Sequence, residues 1–309
     1  MASLPALIGV DWGTSSFRAY LIDHDGGVID TISTSSGILT VQDNEFEAVF
    51  ERLLANWLLE YSTIPIILSG MITSKNGWLE LEYVSLPAGA SEISAALTRY
   101  TTSLGRVLHF VSGLAVNYPE LSPDVMRGEE TELLGQLYHC ASDGLFLLPG
   151  THSKWVWVEN NHIINFQTFM TGEIYSVLKG YSILGKLMAA DSEGQAENLA
   201  VFEQGIKSRS THSGSILHQL FSARTLPLFN KIEAKDVSDY LSGLLIAEEI
   251  SSVLQEQKKM PSVTVIGRGD LAARYCHALG LMGVGAVAAE PGMVARGHLE
   301  LAKTRGLLA

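Results

Sequence analysis

Asp11-Trp12-Gly13-Thr14-Ser15-Ser16 sets an acid, a glycine and three hydroxyls between two apolar runs. Close backbone approach at Gly13, hydroxyl donors at Thr14, Ser15 and Ser16, and an oxygen ligand at Asp11 suit a nucleotide phosphate with hydrated Mg2+. The same residues also make an ordinary polar hairpin turn. A second turn, Gly150-Thr151-His152-Ser153, lies between two later apolar runs and is followed by Lys154. Two such turns from facing lobes can pinch a triphosphate, a task that a single polar hairpin does not have. His152 has no neighbours at metal-ligand spacing, so a phosphate turn is the expectation there rather than a metal centre.

Between the turns lies Arg127-Gly128-Glu129-Glu130-Thr131-Glu132, which reads as a loop glycine followed by the acidic first turn of a helix. Carboxylates there complement the helix dipole, so a structural role is open beside that of a general base. Late in the chain, Gly267-Arg268-Gly269-Asp270-Leu271-Ala272 follows an apolar run and opens a helical one. This is also a GxGxxA match with Glu290 downstream, but the residues that remain are too few for the other strands of a dinucleotide domain. No GxxxxGK[ST] occurs.

Short strands and a few helices must position these residues. Leu7 to Val10, Phe17 to Ile22 and Gly27 to Ile32 read as an antiparallel meander, with Asp25-Gly26-Gly27 as a hairpin turn. Asn44 to Tyr61 carries Phe46, Val49, Phe50, Leu53, Leu54, Trp57 and Leu58 at helical spacing, and Pro65 to Leu68 reads as a buried strand. A second meander, Gly144 to Leu148, Lys154 to Glu159 and His162 to Phe166, is followed by helical sequence from Gly172 to Met188. Further helices are expected over Gln195 to Ile206, Asp236 to Gln257, Leu271 to Leu279 and Glu290 to Lys303, with a strand at Val263 to Ile266. The order is that of a repeated βββαβα unit.

With 309 residues, 47% of them hydrophobic, the chain can bury a large core in two lobes joined by a short hinge. A net charge of −12 and the lack of a basic stripe argue against nucleic acid as a partner. Cys140 and Cys276 match no zinc spacing and read as structural thiols in a reducing, cytoplasmic setting. No apolar run reaches the length needed to span a membrane, and the first residues do not resemble a secretion signal. A homodimer is compatible with this composition and not required by it.

On these residues the chain resembles the sugar-kinase branch of the actin, hexokinase and heat-shock ATPase superfamily. The Asp11 to Ser16 turn is similar to its first phosphate motif and Gly150 to Ser153 to its second. Gly128-Glu129 resembles the Gly-Asp helix start that carries the base in many of its carbohydrate kinases. Here Glu stands where Asp is usual, and Glu130 is the alternative base. The resemblance implies an α/β, two-lobed ribonuclease H-like (actin-like ATPase) fold with a duplicated βββαβα core. Residues 1–125 would form the lobe with the first phosphate turn and a sugar-acid loop. Residues 126–309 would form the other, the terminal helix packing back on the first. ATP and Mg2+ would be the cofactors, with adenosine beside Gly267 and Gly269.

A narrower resemblance spans both lobes. Ser69-Gly70-Met71-Ile72-Thr73-Ser74, Asn76-Gly77-Trp78, Tyr83, Pro87-Ala88-Gly89, Met126 to Thr131, Leu148 to Lys154 and Thr168 to Glu173 look like the 2-dehydro-3-deoxygalactonokinase family. That implies transfer of the γ-phosphoryl group of ATP to the 6-hydroxyl of 2-dehydro-3-deoxy-D-galactonate, a step of galactonate catabolism. The substrate residues would be Ser74, Lys75, Asn76, Trp78, Tyr83, Arg127, Thr171 and Glu173. Arg127, Lys75 and Arg18 are each candidates for its carboxylate. A kinase of another sugar or sugar acid, and a non-catalytic ATP sensor of the same fold, are the other readings.

Overall fold

A computed structural model describes residues 4–118, 122–140, 143–188, 197–211, 214–256 and 262–308. The chain divides into two compact units. Unit 1 comprises Met1–Asp143, Val156–Phe166 and Glu290–Ala309; unit 2 comprises Gly144–Trp155 and Gln167–Ala289. The expected boundary at residue 125 thus falls inside unit 1, because the acid-rich helix packs against the C-terminal helix.

In the first part of the chain the strands are β1 (Pro5–Trp12), β2 (Phe17–Asp23), β3 (Val28–Thr34), β4 (Ile66–Ser69), β5 (Val84–Ser85), β6 (Thr98–Thr101), β7 (Val107–Phe110), β8 (Leu114–Val116) and β9 (Asp124–Met126). The helices there are α1 (Phe46–Glu60), α2 (Ala90–Ala95) and α3 (Glu129–His139). The main sheet has the order β3-β2-β1-β4-β7-β6, while β5, β8 and β9 form a small separate sheet. Helix α1 turns Phe46, Phe50, Leu54, Trp57 and Leu58 inward, onto a core that includes Trp12, Phe17 and Phe110. These are the apolar positions whose spacing predicts the helix.

The second meander is β10 (Gly144–Leu148), β11 (Ser153–Glu159) and β12 (His162–Phe169), followed by α4 (Thr171–Tyr181), α5 (Leu199–Thr211), α6 (Ile216–Leu220), α7 (Ser222–Leu228) and α8 (Val237–Glu256). Then come β13 (Val263–Val265), α9 (Gly269–Leu281), β14 (Ala286–Ala288) and α10 (Met293–Arg305). The second sheet has the order β12-β11-β10-β13-β14. In both sheets three consecutive strands lie side by side, and the first of them pairs in parallel with a later strand. This is the expected ribonuclease H-like duplication.

Helix α4 stops at Tyr181 rather than Met188, where Ser182 leaves helical geometry. Residues 195, 196 and 257 of the expected helices lie outside the described residues. Glu290 precedes α10, because the turn at Gly292 takes a φ of 87°. Within unit 1, α3 and α10 meet backbone to backbone. A Cβ at Gly135 would lie 1.8 Å from the Met293 carbonyl oxygen, and one at Gly297 would lie 1.8 Å from that of Thr131. The first turn of α3 is held rigidly by this packing.

Candidate active site

In unit 1, parallel pairing of β1 with β4 sets Asp11 beside Ser69 at the carboxyl ends of their strands, where α/β sheets bind ligands. Gly70 follows with a φ of 91°, and Gly128, just before α3, has a φ of 112°. A Cβ on Gly70 would lie 3.0 Å from Asp11 Oδ1, and one on Gly128 would lie 3.3 Å from Gly70 Cα. Two glycines in left-handed geometry therefore bring the start of α3 up to Asp11. Ser69 Oγ is 2.9 Å from Nε2 of His298, whose burial pushes its pKa down to about 3 and keeps it neutral.

This corner is rich in acid. Burial raises Asp11 to about 6 against the pull of Arg18, which lies 3.6 Å away, and the charge of Glu129 adds to the rise. Burial likewise raises Glu130 to about 7 and Glu132 to about 7. The sequence left Glu129 and Glu130 open as the base, and their environments differ. Glu130 is fully buried and caps the helix entrance, accepting from Gly128 N–H at 2.6 Å and from the Thr131 hydroxyl at 3.0 Å. Glu129 is half-buried, and among the described residues it accepts from Arg127 N–H, at 3.0 Å. A carboxylate that must meet a substrate hydroxyl needs the second environment.

The raised acids set a pH dependence of stability. Each binds its proton more tightly folded than unfolded, so stability falls as pH rises from the ordinary glutamate value of 4.5 through about 7. The unfolding free energy of the ligand-free protein, and with it Tm, is expected to fall between about pH 4.5 and about pH 7, by up to about 1.4 kcal/mol per pH unit for each group. Thermal melts of Glu130→Gln should show a shallower decline. An unchanged slope would remove Glu130 from this account.

The Asp11 turn is tightly braced. Gly13 N–H donates to Ser16 O at 2.9 Å, and Gly13 O and Thr14 O accept from Ile38 N–H and Leu39 N–H. The Gly13 N–H thus closes the turn, which leaves close approach and the neighbouring donors as what this position offers a phosphate. Thr14 and Ser15 form the exposed tip, with Ser16 half-buried. Trp12 anchors the turn from below, its Nε1 donating to Ser36 O at 2.9 Å.

The expected sugar-acid loop folds over Met71–Thr73, with Leu79 N–H donating to Ile72 O and Leu81 N–H to Thr73 O. Arg127 is its organised cation. Nη1 donates to Thr73 Oγ1 at 2.6 Å, Nη2 to Leu81 O at 2.9 Å, and the guanidinium lies 4.3 Å from the Tyr83 ring centre. Thr73 in turn donates to Gly70 O at 3.1 Å. Arg127 Nε is buried without a partner, and among the described residues no carboxylate lies within ion-pair distance of this side chain. Lys75 and Asn76 are exposed, and Ser74 Oγ is turned back onto Met71 O at 2.7 Å. Trp78, a substrate candidate by motif, packs its ring 5.4 to 5.8 Å from those of Phe50, Tyr100 and Phe110 and anchors the loop.

In unit 2, parallel pairing of β10 with β13 brings the Gly150 turn beside the Gly267 turn. Gly267 has a φ of 149°, and a Cβ there would lie 3.6 Å from Pro149. Thr151 and His152 are exposed, as are Gly267 and Gly269. Arg268 is occupied by Asp270 at 2.5 Å. Ser153 departs from its expected role, since its side chain is fully buried and bonded to Tyr275 and Glu249. Thr171 and Glu173 also depart from theirs. Thr171 donates to Glu249, while Glu173 donates its N–H to Thr151 O at 2.9 Å and pairs with His152 Nε2 at 2.5 Å. Both brace the Gly150 turn. Lys154 is buried, with Nζ donating to Thr168 Oγ1 at 2.8 Å.

Sequence reasoning missed Glu249, Tyr275 and His298, which lie on helices far along the chain and match no motif. Thr73 was within a quoted motif but was assigned no role. Among the described residues, no cluster of three His, Cys, Asp or Glu side chains holds a metal, and no helix is long and apolar enough to cross a membrane.

Duplicated sheets with polar turns at the carboxyl ends of their parallel strands define a protein of the actin-like ATPase fold class. Residues 11–301 match the 2-keto-3-deoxy-galactonokinase family, and the chain belongs to it. It is 34% identical over 294 residues, 95% of each chain, to a Rhizobium meliloti (strain 1021) protein named "Probable 2-dehydro-3-deoxygalactonokinase DgoK1". It is 32% identical to the 2-dehydro-3-deoxygalactonokinase of Escherichia coli (strain K12), covering 89% of this chain and 90% of that one. A crystal structure from Sinorhizobium meliloti, provisionally named as the same kinase, superposes with a TM-score of 0.87 at 32% identity. That match covers 96% of this chain and 98% of the other. A kinase of this family uses ATP.

Proposed function

We propose that this chain phosphorylates 2-dehydro-3-deoxy-D-galactonate at its 6-hydroxyl, with ATP as donor. The observation that carries the reading is Arg127, an ordered guanidinium with no acidic partner among the described residues, two positions before an accessible carboxylate, Glu129. An otherwise acid-rich corner with one unclaimed, braced arginine suits a substrate that brings its own carboxylate. The relatives' names supply the particular acid.

In this reading Arg127 binds the substrate carboxylate, and Tyr83 flanks the guanidinium. Glu129 accepts the proton of the 6-hydroxyl as its oxygen bonds to the γ-phosphorus. The bond from that phosphorus to the β,γ-bridging oxygen breaks, and ADP departs with the electron pair. Thr14, Ser15 and Ser16 are assigned to the nucleotide phosphates. The Gly150, Thr151 and His152 turn is likewise a phosphate candidate, with adenosine assigned beside Gly267 and Gly269. Asp11 fits Mg2+, because it is a hard oxygen donor in an acidic corner, and Mg2+ needs only one or two protein carboxylates besides water and phosphate. Bound there, the ion would offset charge on the transferring phosphoryl group.

The test is incubation of the protein with ATP, Mg2+ and a panel of sugar acids, with phosphorus NMR of the products. The expected result is a 6-phosphate of 2-dehydro-3-deoxy-D-galactonate formed in step with ADP. No phosphorylation of any 2-keto-3-deoxy sugar acid would overturn the proposal, and preference for another acid would reassign the substrate.

A further inference from the structure

Glu249 sits near the middle of α8, is 2% exposed, and meets donors from three other elements of unit 2. Its Oε1 accepts from Trp155 Nε1 at 2.8 Å, and its Oε2 accepts from Tyr275 OH at 2.8 Å and from Thr171 Oγ1. The Ser153 hydroxyl is bonded to it as well. Burial raises its proton affinity, and all four hydrogen bonds act the other way. Isolated burial of a carboxylate is costly, so a site that supplies this many aimed donors holds its geometry closely.

The four partners surround the proposed phosphate turn. Ser153 and Trp155 belong to β11, whose first residue closes the turn that begins at Gly150. Thr171 opens α4, and the two residues after it touch the turn itself. A Cβ on Gly172 would lie 2.3 Å from Gly150 O, and Glu173 N–H bonds Thr151 O at 2.9 Å. Tyr275 brings in α9, the helix that starts at the Gly267 turn. One buried carboxylate thus ties the end of the phosphate turn to the helix start that braces it and to the helix leaving the adenosine turn.

We propose that Glu249 is a positioning residue for ATP, setting the shape of the Gly150 turn through Ser153, Trp155 and Thr171 without touching the nucleotide. The inference rests on assigning the nucleotide phosphates to that turn. A carboxylate that only stabilised the fold would affect both substrates alike, whereas a positioning role acts on ATP.

Full-length Glu249→Gln and Thr171→Val test it, with Tm, kcat and separate KM values for ATP and sugar acid. Gln retains the size and an acceptor for Trp155. Val removes one hydroxyl only, and so serves if the first variant fails to fold. Each is expected to raise KM for ATP by about tenfold through lost pre-organisation, with KM for the sugar acid within about twofold. An unchanged KM for ATP in the folded variants overturns the inference. Thr151→Ala separates the causes, because its exposed side chain is on the turn and outside the Glu249 cluster. If it weakens ATP while the other variants do not, the positioning role fails alone. If all three leave ATP unaffected, the phosphate assignment fails with it.

Discussion

Glu129→Gln is expected to lower kcat by about 10²- to 10⁴-fold while ATP affinity stays near that of the parent protein. The amide oxygen of Gln can still accept from Arg127 N–H, so the start of α3 is preserved. What is lost is the basic oxygen that takes the 6-hydroxyl proton. Glu130→Gln provides the comparison, since that side chain is fully buried and bonded to Gly128 and Thr131. Its turnover should stay within a few-fold of the parent. Single-turnover rates with isothermal titration of ATP decide the matter, and normal chemistry in Glu129→Gln would end its role as base.

Arg127→Ala should raise KM for the sugar acid by about 10²-fold, equivalent to about 2.7 kcal/mol and within the range of a charge-assisted bidentate bond. KM for ATP should not follow. Lysine at this position should recover little, because a single ammonium cannot serve Thr73, the Leu81 carbonyl and a carboxylate together. A neutral amide of the substrate provides the decisive control: parent and variant should use it about equally poorly. If the variant loses the acid and the amide in the same proportion, the arginine serves the loop and not the carboxylate.

Much of the architecture was legible because its causes are local. The apolar runs of β1 and β2 around a polar turn, the apolar stripe of α1 and the repeat of the meander at Gly144 follow from local apolar patterning and turn chemistry. The short strands β5, β8 and β9 were not legible. Two or three residues show no period, and their pairing is set by chain brought from elsewhere. The α7 helix carries Pro227 within it and was likewise hidden.

Within the candidate site, residue type identified Asp11, Gly150, Glu129 and Arg127 as capable of the chemistry, and it fixed no single role for any of them. Tertiary contact made the selection. Ser153 and Thr151 are hydroxyls two residues apart on one turn, yet Ser153 is consumed by Tyr275 and Glu249 while Thr151 faces solvent. Glu129 and Glu130 are neighbours of one type that each accept a backbone N–H before α3, yet only the second is fully buried. Trp78 is a substrate candidate by motif and a partly buried ring packed against the core in the fold. The amino-acid sequence by itself determined a duplicated α/β fold with polar glycine turns at two strand ends, because strand period, helix period and glycine geometry act over a few residues, and its motifs carried the resemblance to a kinase family. Which carboxylate is free, which hydroxyl is spent and which arginine lacks an acid were decided only by tertiary structure, since the competing hydrogen-bond partners lie far away along the chain.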